Sequence, residues 1–192
     1  MNRKTVLLAF ALLGALLASS SQAQTACVKF GPPPPLGTMY GVPAANVSGD
    51  LVLTESGINM HVYNFFKLPM GIAFNRAYTD IAPVSLPGQS IRTNNINLLF
   101  DFRNVGFNVR KVTFSYLDLG GYENLSINGS PVYRGELSAA PAVIGGANVS
   151  VTNSPTPPPI SGKTGTVTIT ASTIKTVMAG GQELWIDNVC AQ

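Results

Sequence analysis

The sequence predicts an all-β protein, an antiparallel β-sandwich of the jelly-roll type. Short runs of β-branched and aromatic residues recur along the chain, with Gly, Pro, Asn and Ser clusters between them. Beyond residue 23 no stretch shows the periodicity of an amphipathic helix. The two cysteines stand near opposite ends of the chain that follows. A bond between them requires termini that meet, as they do in a jelly roll.

Residues 1–23 are predicted to be a secretory signal peptide. Arg3 and Lys4 precede an apolar run over residues 6–17, and small residues stand three and one before a cut at Gln24. The run is too short to span a bilayer comfortably, and no second one follows. The sequence therefore predicts a secreted protein, extracellular or periplasmic, without membrane insertion.

The charge of the chain is low. The formal net charge is +3, and without Arg3 and Lys4 ten basic and nine acidic residues remain. No Lys/Arg cluster survives, which argues against nucleic acid or an anionic membrane surface as a partner.

Residues 24–49 are predicted to be an extended, Pro-rich lead-in. Four consecutive prolines at residues 32–35 favour polyproline-like backbone and cannot donate backbone hydrogen bonds. The segment either lies over the sandwich or serves as a docking segment for a partner. The β-sandwich domain is predicted over residues 50–192.

Strand signals follow one another through this domain. In residues 58–63 the apolar positions alternate with Asn59, His61 and Tyr63, which predicts a strand with one buried face. Further strands are predicted at residues 50–54, 96–102, 110–119, 123–127 and 166–171, and a surface loop at residues 153–165. The closing run, residues 182–190, contains the only Trp, Trp185. Its apolar residues do not all fall on one face, so either both faces are covered or a bulge lies near Asp187.

An even number of cysteines in an exported chain favours a disulfide. We predict a bond between Cys27 and Cys190; the alternative is two free buried thiols. For so long a loop the chain-entropy model gives a ceiling of roughly 5 kcal/mol of stabilisation.

The closing run also carries a resemblance. Residues 183–189, Glu-Leu-Trp-Ile-Asp-Asn-Val, resemble the last strand of galactose-binding-like jelly rolls, the fold of many carbohydrate-binding modules. Residues 112–129 look like small secreted bacterial proteins of uncharacterised function. The resemblance implies carbohydrate binding and a structural calcium held by Asp187, with Glu55 as the early carboxylate. The alternative for Asp187 is a bulge carboxylate that accepts backbone amide hydrogen bonds.

Aromatic rings on sandwich faces or loops stack on the apolar faces of sugars. The predicted ligand-binding residues are Tyr63, Tyr122, His61 and Arg76. His61 is the only histidine, and no nucleophile motif accompanies it. Acids that could form a glycosidase pair are Asp101, Asp118, Glu123, Glu136 and Asp187.

These observations favour a secreted, non-catalytic binding module for carbohydrate or another extracellular polymer. Its partner would be an extracellular glycan or matrix component. The alternative is a structural or matrix protein that acts through protein–protein contacts. A third hypothesis, a small glycan-active enzyme, requires two acids that face each other in a cleft.

Overall fold

A computed structural model describes residues 24–192; the predicted signal peptide lies outside them. Seventeen strands and two single-turn 3-10 helices, Val42–Ala44 and Leu137–Ala139, make up the described chain. Within that range no helix is long and apolar enough to cross a membrane. The strands are β1 (Ala26–Val28), β2 (Met39–Gly41), β3 (Leu51–Glu55), β4 (Ile58–Tyr63), β5 (Phe65–Phe66), β6 (Ile72–Ala73), β7 (Arg76–Ile81), β8 (Gln89–Asn94), β9 (Ile96–Asp101), β10 (Lys111–Asp118), β11 (Glu123–Ile127), β12 (Tyr133–Gly135), β13 (Val143–Ile144), β14 (Ala147–Pro155), β15 (Lys163–Thr170), β16 (Thr176–Gly181) and β17 (Leu184–Ala191).

The strands form an antiparallel β-sandwich, as predicted. The nine-stranded sheet has the order β13-β14-β15-β10-β17-β8-β7-β2, with β1 also paired to β17. The six-stranded sheet has the order β12-β11-β16-β9-β4-β3. The inner order β15-β10-β17-β8 in one sheet and β12-β11-β16-β9 in the other is that of a jelly roll of two Greek keys.

The core lies between the two sheets and follows the predicted alternation. Ile96, Leu98 and Phe100 of β9 are fully buried. The alternating apolar residues of β4, in the same sheet, and of β10, in the facing sheet, are buried with them. Successive side chains of a strand point to opposite sheet faces. The other residues of β4 and β9 therefore point away from the core, and they form the surface considered below.

The segment predicted as a lead-in contributes to the nine-stranded sheet. β1 pairs with β17 and β2 pairs with β7. Between them Phe30 is fully buried and packs edge-on against Phe100, with ring centroids 6.4 Å apart. The Nε2 of Gln89 donates to the carbonyl oxygens of Phe30 and Pro34. Packing and side-chain hydrogen bonds thus hold the Pro-rich stretch between β1 and β2, whose prolines have no backbone N–H to donate.

The predicted disulfide is confirmed. Cys27 of β1 and Cys190 of β17 stand directly opposite each other and are bonded across 163 residues of sequence. β1 has only three residues and pairs only with β17. The bond therefore fixes the start of the domain to its last strand.

β17 shows both features that its sequence pattern allowed. Thr113 pairs with Cys190 but Ser115 pairs with Asp187, so β17 has one extra residue at this point, a β-bulge. Asn188 adopts a positive φ of 51° there. The second face is covered too: Trp185 is 2% exposed and packs with Leu117 under the loop that follows β7.

The predicted loop at residues 153–165 is shorter than expected. β14 and β15 continue pairing to Asn153–Gly165, Ser154–Thr164 and Pro155–Lys163. The backbone N–H of Val149 donates away from β15, to Ala142. Because strand residues alternate, the position of Pro155 also faces away from β15, so its missing N–H removes no bond of the ladder. Proline therefore does not end this edge strand.

Candidate functional site

The outer face of the six-stranded sheet is a candidate surface for a ligand. Its central row runs across four strands: His61 of β4, Leu99 of β9, Met178 of β16 and Ser126 of β11. Tyr63 lies two residues after His61 in β4 and pairs with Asn97 of β9. These side chains point outward because the residues between them fill the core.

The hairpin of β5 and β6 covers one end of this face. The side chain of Asn124 accepts a hydrogen bond from the backbone N–H of Phe66 at 2.7 Å and donates one to its carbonyl oxygen at 3.0 Å. Asn97 donates to the carbonyl oxygen of Asn64 at 2.7 Å. Both asparagines are fully buried, so they anchor the hairpin and do not contact solvent. The rest of the face stays open.

The open part is a shallow groove made of two adjoining depressions of about 250 and 320 Å³. Tyr63 and Leu99 line both depressions. Phe66 lines the first, and the guanidinium of Arg134 lies 5.4 Å from the centre of its ring. Arg103 and Lys175 line the second. The groove therefore combines aromatic rings, an aliphatic floor and cationic hydrogen-bond donors.

An ion pair fixes the polar end of the groove. The Nε of Arg103 donates to both carboxylate oxygens of Asp101, at 2.9 and 3.0 Å. This contact lowers the pKa of Asp101, and the nearby His61 lowers it further through its charge. Asp101 is only 4% exposed, whereas the Arg103 side chain is 64% exposed. Arg103 is thus oriented by a buried carboxylate and still presents donors to solvent.

The structure brings two of the four predicted ligand-binding residues together. Tyr63 lies in the groove, and His61 shares its face, with Nδ1 3.0 Å from the carbonyl oxygen of Gly49. Tyr122 stacks on Phe65, and its hydroxyl accepts a hydrogen bond from the Leu68 N–H, so it supports the hairpin. Arg76 belongs to the other sheet.

Sequence analysis missed part of the groove. Leu99 and Met178 are apolar residues on the outer face of the six-stranded sheet. That Leu99 points outward could be predicted from the alternating pattern of β9. Its pairing with Met178 was not visible, because residues 99 and 178 meet only through the sheet order.

The two predicted calcium ligands each have hydrogen-bond partners. Asp187 is 2% exposed and accepts hydrogen bonds from the backbone N–H and the side-chain amide of Asn188, at 2.7 and 2.9 Å. Glu55 accepts long hydrogen bonds from the backbone N–H of Lys29. In residues 24–192 no group of three or more His, Cys, Asp and Glu side chains is placed to hold a metal ion. Calcium at Asp187 stays a prediction.

The protonation of Asp187 should make stability depend on pH. Burial raises the pKa of Asp187 from 3.8 to about 6. A carboxyl group with a raised native pKa stabilises the fold while it is protonated, and this contribution is lost as pH rises from about 4 to about 6. We expect Asp187→Asn to remove about 2 kcal/mol of pH dependence in this window, measured by urea unfolding at pH 4, 5 and 6. An unchanged pH profile would contradict this environment for Asp187.

A second group of polar side chains lies between the sheets at one end of the sandwich. Asp118 of β10 and Glu123 of β11 point inward from opposite sheets, and the hydroxyl of Tyr116 lies near them without a hydrogen-bond partner in the described chain. Glu123 is fully buried, and one of its oxygens accepts the N–H of Leu137 at 3.0 Å. Burial, and secondly the charge of Asp118, raise the pKa of Glu123 to about 8. Burial also raises the pKa of Asp118, so the pair resists carrying two negative charges.

Comparisons with known proteins do not assign a family. No protein-family model, no curated protein and no solved structure matches the chain. What is shown is the class: an all-β, antiparallel sandwich of jelly-roll order, closed by a disulfide between its first and last strands.

Proposed function

We propose that the protein is a secreted, non-catalytic binding module whose ligand is an extracellular polysaccharide. The groove on the outer face of the six-stranded sheet is the ligand surface. The observation that carries the proposal is the position of Tyr63, at the junction of the two depressions, between an aliphatic floor and charged donors. The disulfide is consistent with an oxidising, extracellular setting.

The chemistry of the groove suits a sugar chain. A pyranose ring has apolar C–H faces and a rim of hydroxyl groups. The rings of Tyr63 and Phe66 offer apolar faces, and Arg103, Arg134 and Lys175 offer donors at the edges. An open groove along the sheet accepts the interior of a polymer and not only its end.

The buried acid pair does not fit a polymer-cleaving site. A general acid must reach the bond it protonates. Glu123 has no exposed surface, and the cavity beside the pair is lined by Asp118 but not by Glu123. The pair therefore does not present two carboxyl groups to a substrate, which supports a binding function.

Replacing Tyr63 tests the groove. We expect Tyr63→Ala to weaken polysaccharide binding about tenfold or more, because it removes the ring at the junction of the depressions. Tyr63→Phe should keep most of the affinity. The measurement is affinity electrophoresis and pull-down on a panel that includes cellulose, xylan, chitin and mannan.

The matched control is Tyr78→Ala, since Tyr78 lies on the other sheet with Arg76 and Arg92 near its ring. Tyr78→Ala should bind like wild type. Folded wild-type protein that is retained on none of the polymers would overturn the proposal. Equal losses for the two alanine variants would show that binding does not occur in the groove.

Structural calcium at Asp187, with Glu55, belongs to the same proposal because it follows from the same resemblance. Asp187 supplies a buried carboxylate beside a bulge, where backbone carbonyl groups leave the ladder. Thermal unfolding in calcium and in EDTA tests it, since a bound ion raises the midpoint by mass action. Equal midpoints would exclude a native calcium site.

A specific observation supports a second function, that of a structural or matrix protein. The turn of the β5–β6 hairpin exposes Leu68, Met70 and Ile72, which are 45%, 84% and 63% exposed. Adjacent exposed apolar side chains are typical of protein contact surfaces. Light scattering over a range of concentrations separates the two functions, because only the second requires assembly of the protein.

A further inference from the structure

A polar cavity of about 170 Å³ opens at the end of the sandwich where the acid pair lies. Its walls are Asp118 at the end of β10, the turn Gly120–Gly121, Ser161, and the ion pair of Glu136 with Lys163. Its volume equals that of about six water molecules, the scale of one small ring compound. A second depression shares Gly120 and Gly121 as a wall and is lined by amide side chains, those of Asn94, Asn95 and Gln182.

Asp118 is a buried carboxylate that faces this cavity. It is 6% exposed, and its Oδ1 accepts the backbone N–H of Gly120 at 2.8 Å. No Lys or Arg of the described chain forms an ion pair with it, since Lys163 bonds Glu136 and Ser138 instead. A carboxylate has about four acceptor sites, so several remain after the hydrogen bond from Gly120.

A second carboxyl group is buried behind Asp118. Glu123 stands behind Asp118 and cannot take a second negative charge cheaply, because both carboxyl groups are buried. At the walls of the two depressions Glu136 is paired with Lys163 and Glu183 with Arg92, so Asp118 is the lining carboxylate that has no basic partner. The cavity therefore attracts a cation that can also form hydrogen bonds.

The residues that line the two depressions suit some kinds of cation better than others. A quaternary ammonium ion is bound by aromatic rings, and no aromatic side chain lines either depression. A divalent metal needs several carboxylate or imidazole ligands, and no group of three is assembled in residues 24–192. A primary ammonium group has three N–H donors, which match the free acceptor sites of the Asp118 carboxylate and the hydroxyl of Ser161.

We propose that this cavity binds a primary ammonium group carried by a hydroxylated ring, the chemistry of an amino sugar, with Asp118 as the principal acceptor. Ser161 and the amide side chains of the second depression bind the hydroxyl groups, because they both donate and accept hydrogen bonds. This site is separate from the sheet groove and does not depend on polysaccharide binding there.

At two positions in the cavity wall, Gly162 and Gly121, there is no room for any side chain. A Cβ added to Gly162 would lie 2.4 Å from the carbonyl oxygen of Asp118, and one added to Gly121 would lie 2.5 Å from Oε1 of Gln182. Gly121 also has a positive φ of 97°, which side chains rarely adopt. Gly162 thus lets its own segment lie close to the backbone of Asp118, and Gly121 lets the turn lie close to Gln182.

Isothermal titration with glucosamine, and with glucose as the neutral analogue, tests the proposal at pH 7. We expect the wild-type protein to bind glucosamine at least tenfold more tightly than glucose. Asp118→Asn should lower glucosamine affinity at least tenfold. Asp50→Asn is the matched control, since it makes the same change at a half-buried aspartate that lines neither depression and accepts the N–H of Val47, and it should bind like wild type. Tyr63→Ala should also bind glucosamine normally.

A second variant covers the case in which Asp118→Asn does not fold. Lys163→Met removes the positive charge at the cavity and leaves Glu136 without its partner, so it should increase glucosamine affinity at least threefold. Three results would overturn the proposal: equal affinity for glucose and glucosamine, no glucosamine binding at millimolar concentration, or calcium binding that Asp118→Asn abolishes in the absence of glucosamine binding.

Discussion

Removing the disulfide should lower the free energy of unfolding by roughly 3 to 5 kcal/mol, close to the ceiling of the chain-entropy model. The bond spans 163 residues, nearly the whole described chain, so it greatly restricts the unfolded state. It also holds β1, whose three residues have no other strand partner. In the double variant Cys27→Ala, Cys190→Ala we expect a melting temperature roughly 10 °C lower, measured by calorimetry.

The reduced wild-type protein is the internal comparison. Reductant should lower its melting temperature to that of the double variant, and should leave the double variant unchanged. A difference in unfolding free energy below about 1 kcal/mol would mean that the paired strands hold the termini without the bond.

Replacing Glu123 by Gln should make the protein more stable at alkaline pH. The native pKa of Glu123 is about 8, against an ordinary value of 4.5. Well below pH 4.5 Glu123 is protonated in both the native and the unfolded chain, so the stability does not depend on its titration there. As pH rises towards 8 the unfolded chain loses this proton while the native protein keeps it, so stability falls. The difference between the two pKa values corresponds to about 4 kcal/mol lost over this range.

Glutamine keeps the shape of the side chain and an oxygen that accepts the N–H of Leu137, but it does not titrate. We therefore expect Glu123→Gln to remove most of the loss between pH 6 and 8, measured by urea unfolding at pH 5, 6, 7, 8 and 9. The raised pKa of Asp118 acts in the same direction, so some dependence remains.

Asp187→Asn is the control for this experiment. Its own effect ends near pH 6, because its native pKa is about 6. It should therefore follow wild type between pH 6 and 8, where Glu123→Gln does not. If both variants follow wild type in that range, the carboxyl pair is not buried as described.

The two proposed sites differ in shape and in lining. The sheet groove is open along its length and carries the ring of Tyr63 at the junction of its two depressions. The loop-end cavity is small, polar and acidic. The variants Tyr63→Ala and Asp118→Asn test them separately, since the two residues belong to different sheets.

The fold class could be predicted from the sequence, and so could the residues of most strands that point into the core. Alternating apolar residues in β4, β9 and β10 can be buried on only one side, so their inward parity follows from local pattern. The pairing of Cys27 with Cys190 followed from there being two cysteines and an expected oxidising compartment. The bulge near Asp187 followed as one of two alternatives, from apolar residues that do not share one parity.

Which residues come into contact could be learned only from the tertiary structure. β14 and β15 extend to Pro155 because that position faces away from its partner, which depends on register. Leu99 and Met178 line one groove because strands distant in sequence lie side by side. Asp118 and Glu123 are five residues apart in sequence, yet they point at each other from different sheets. Neither groove nor cavity is therefore visible in the sequence, since each is made of contacts between strands whose order no local pattern fixes.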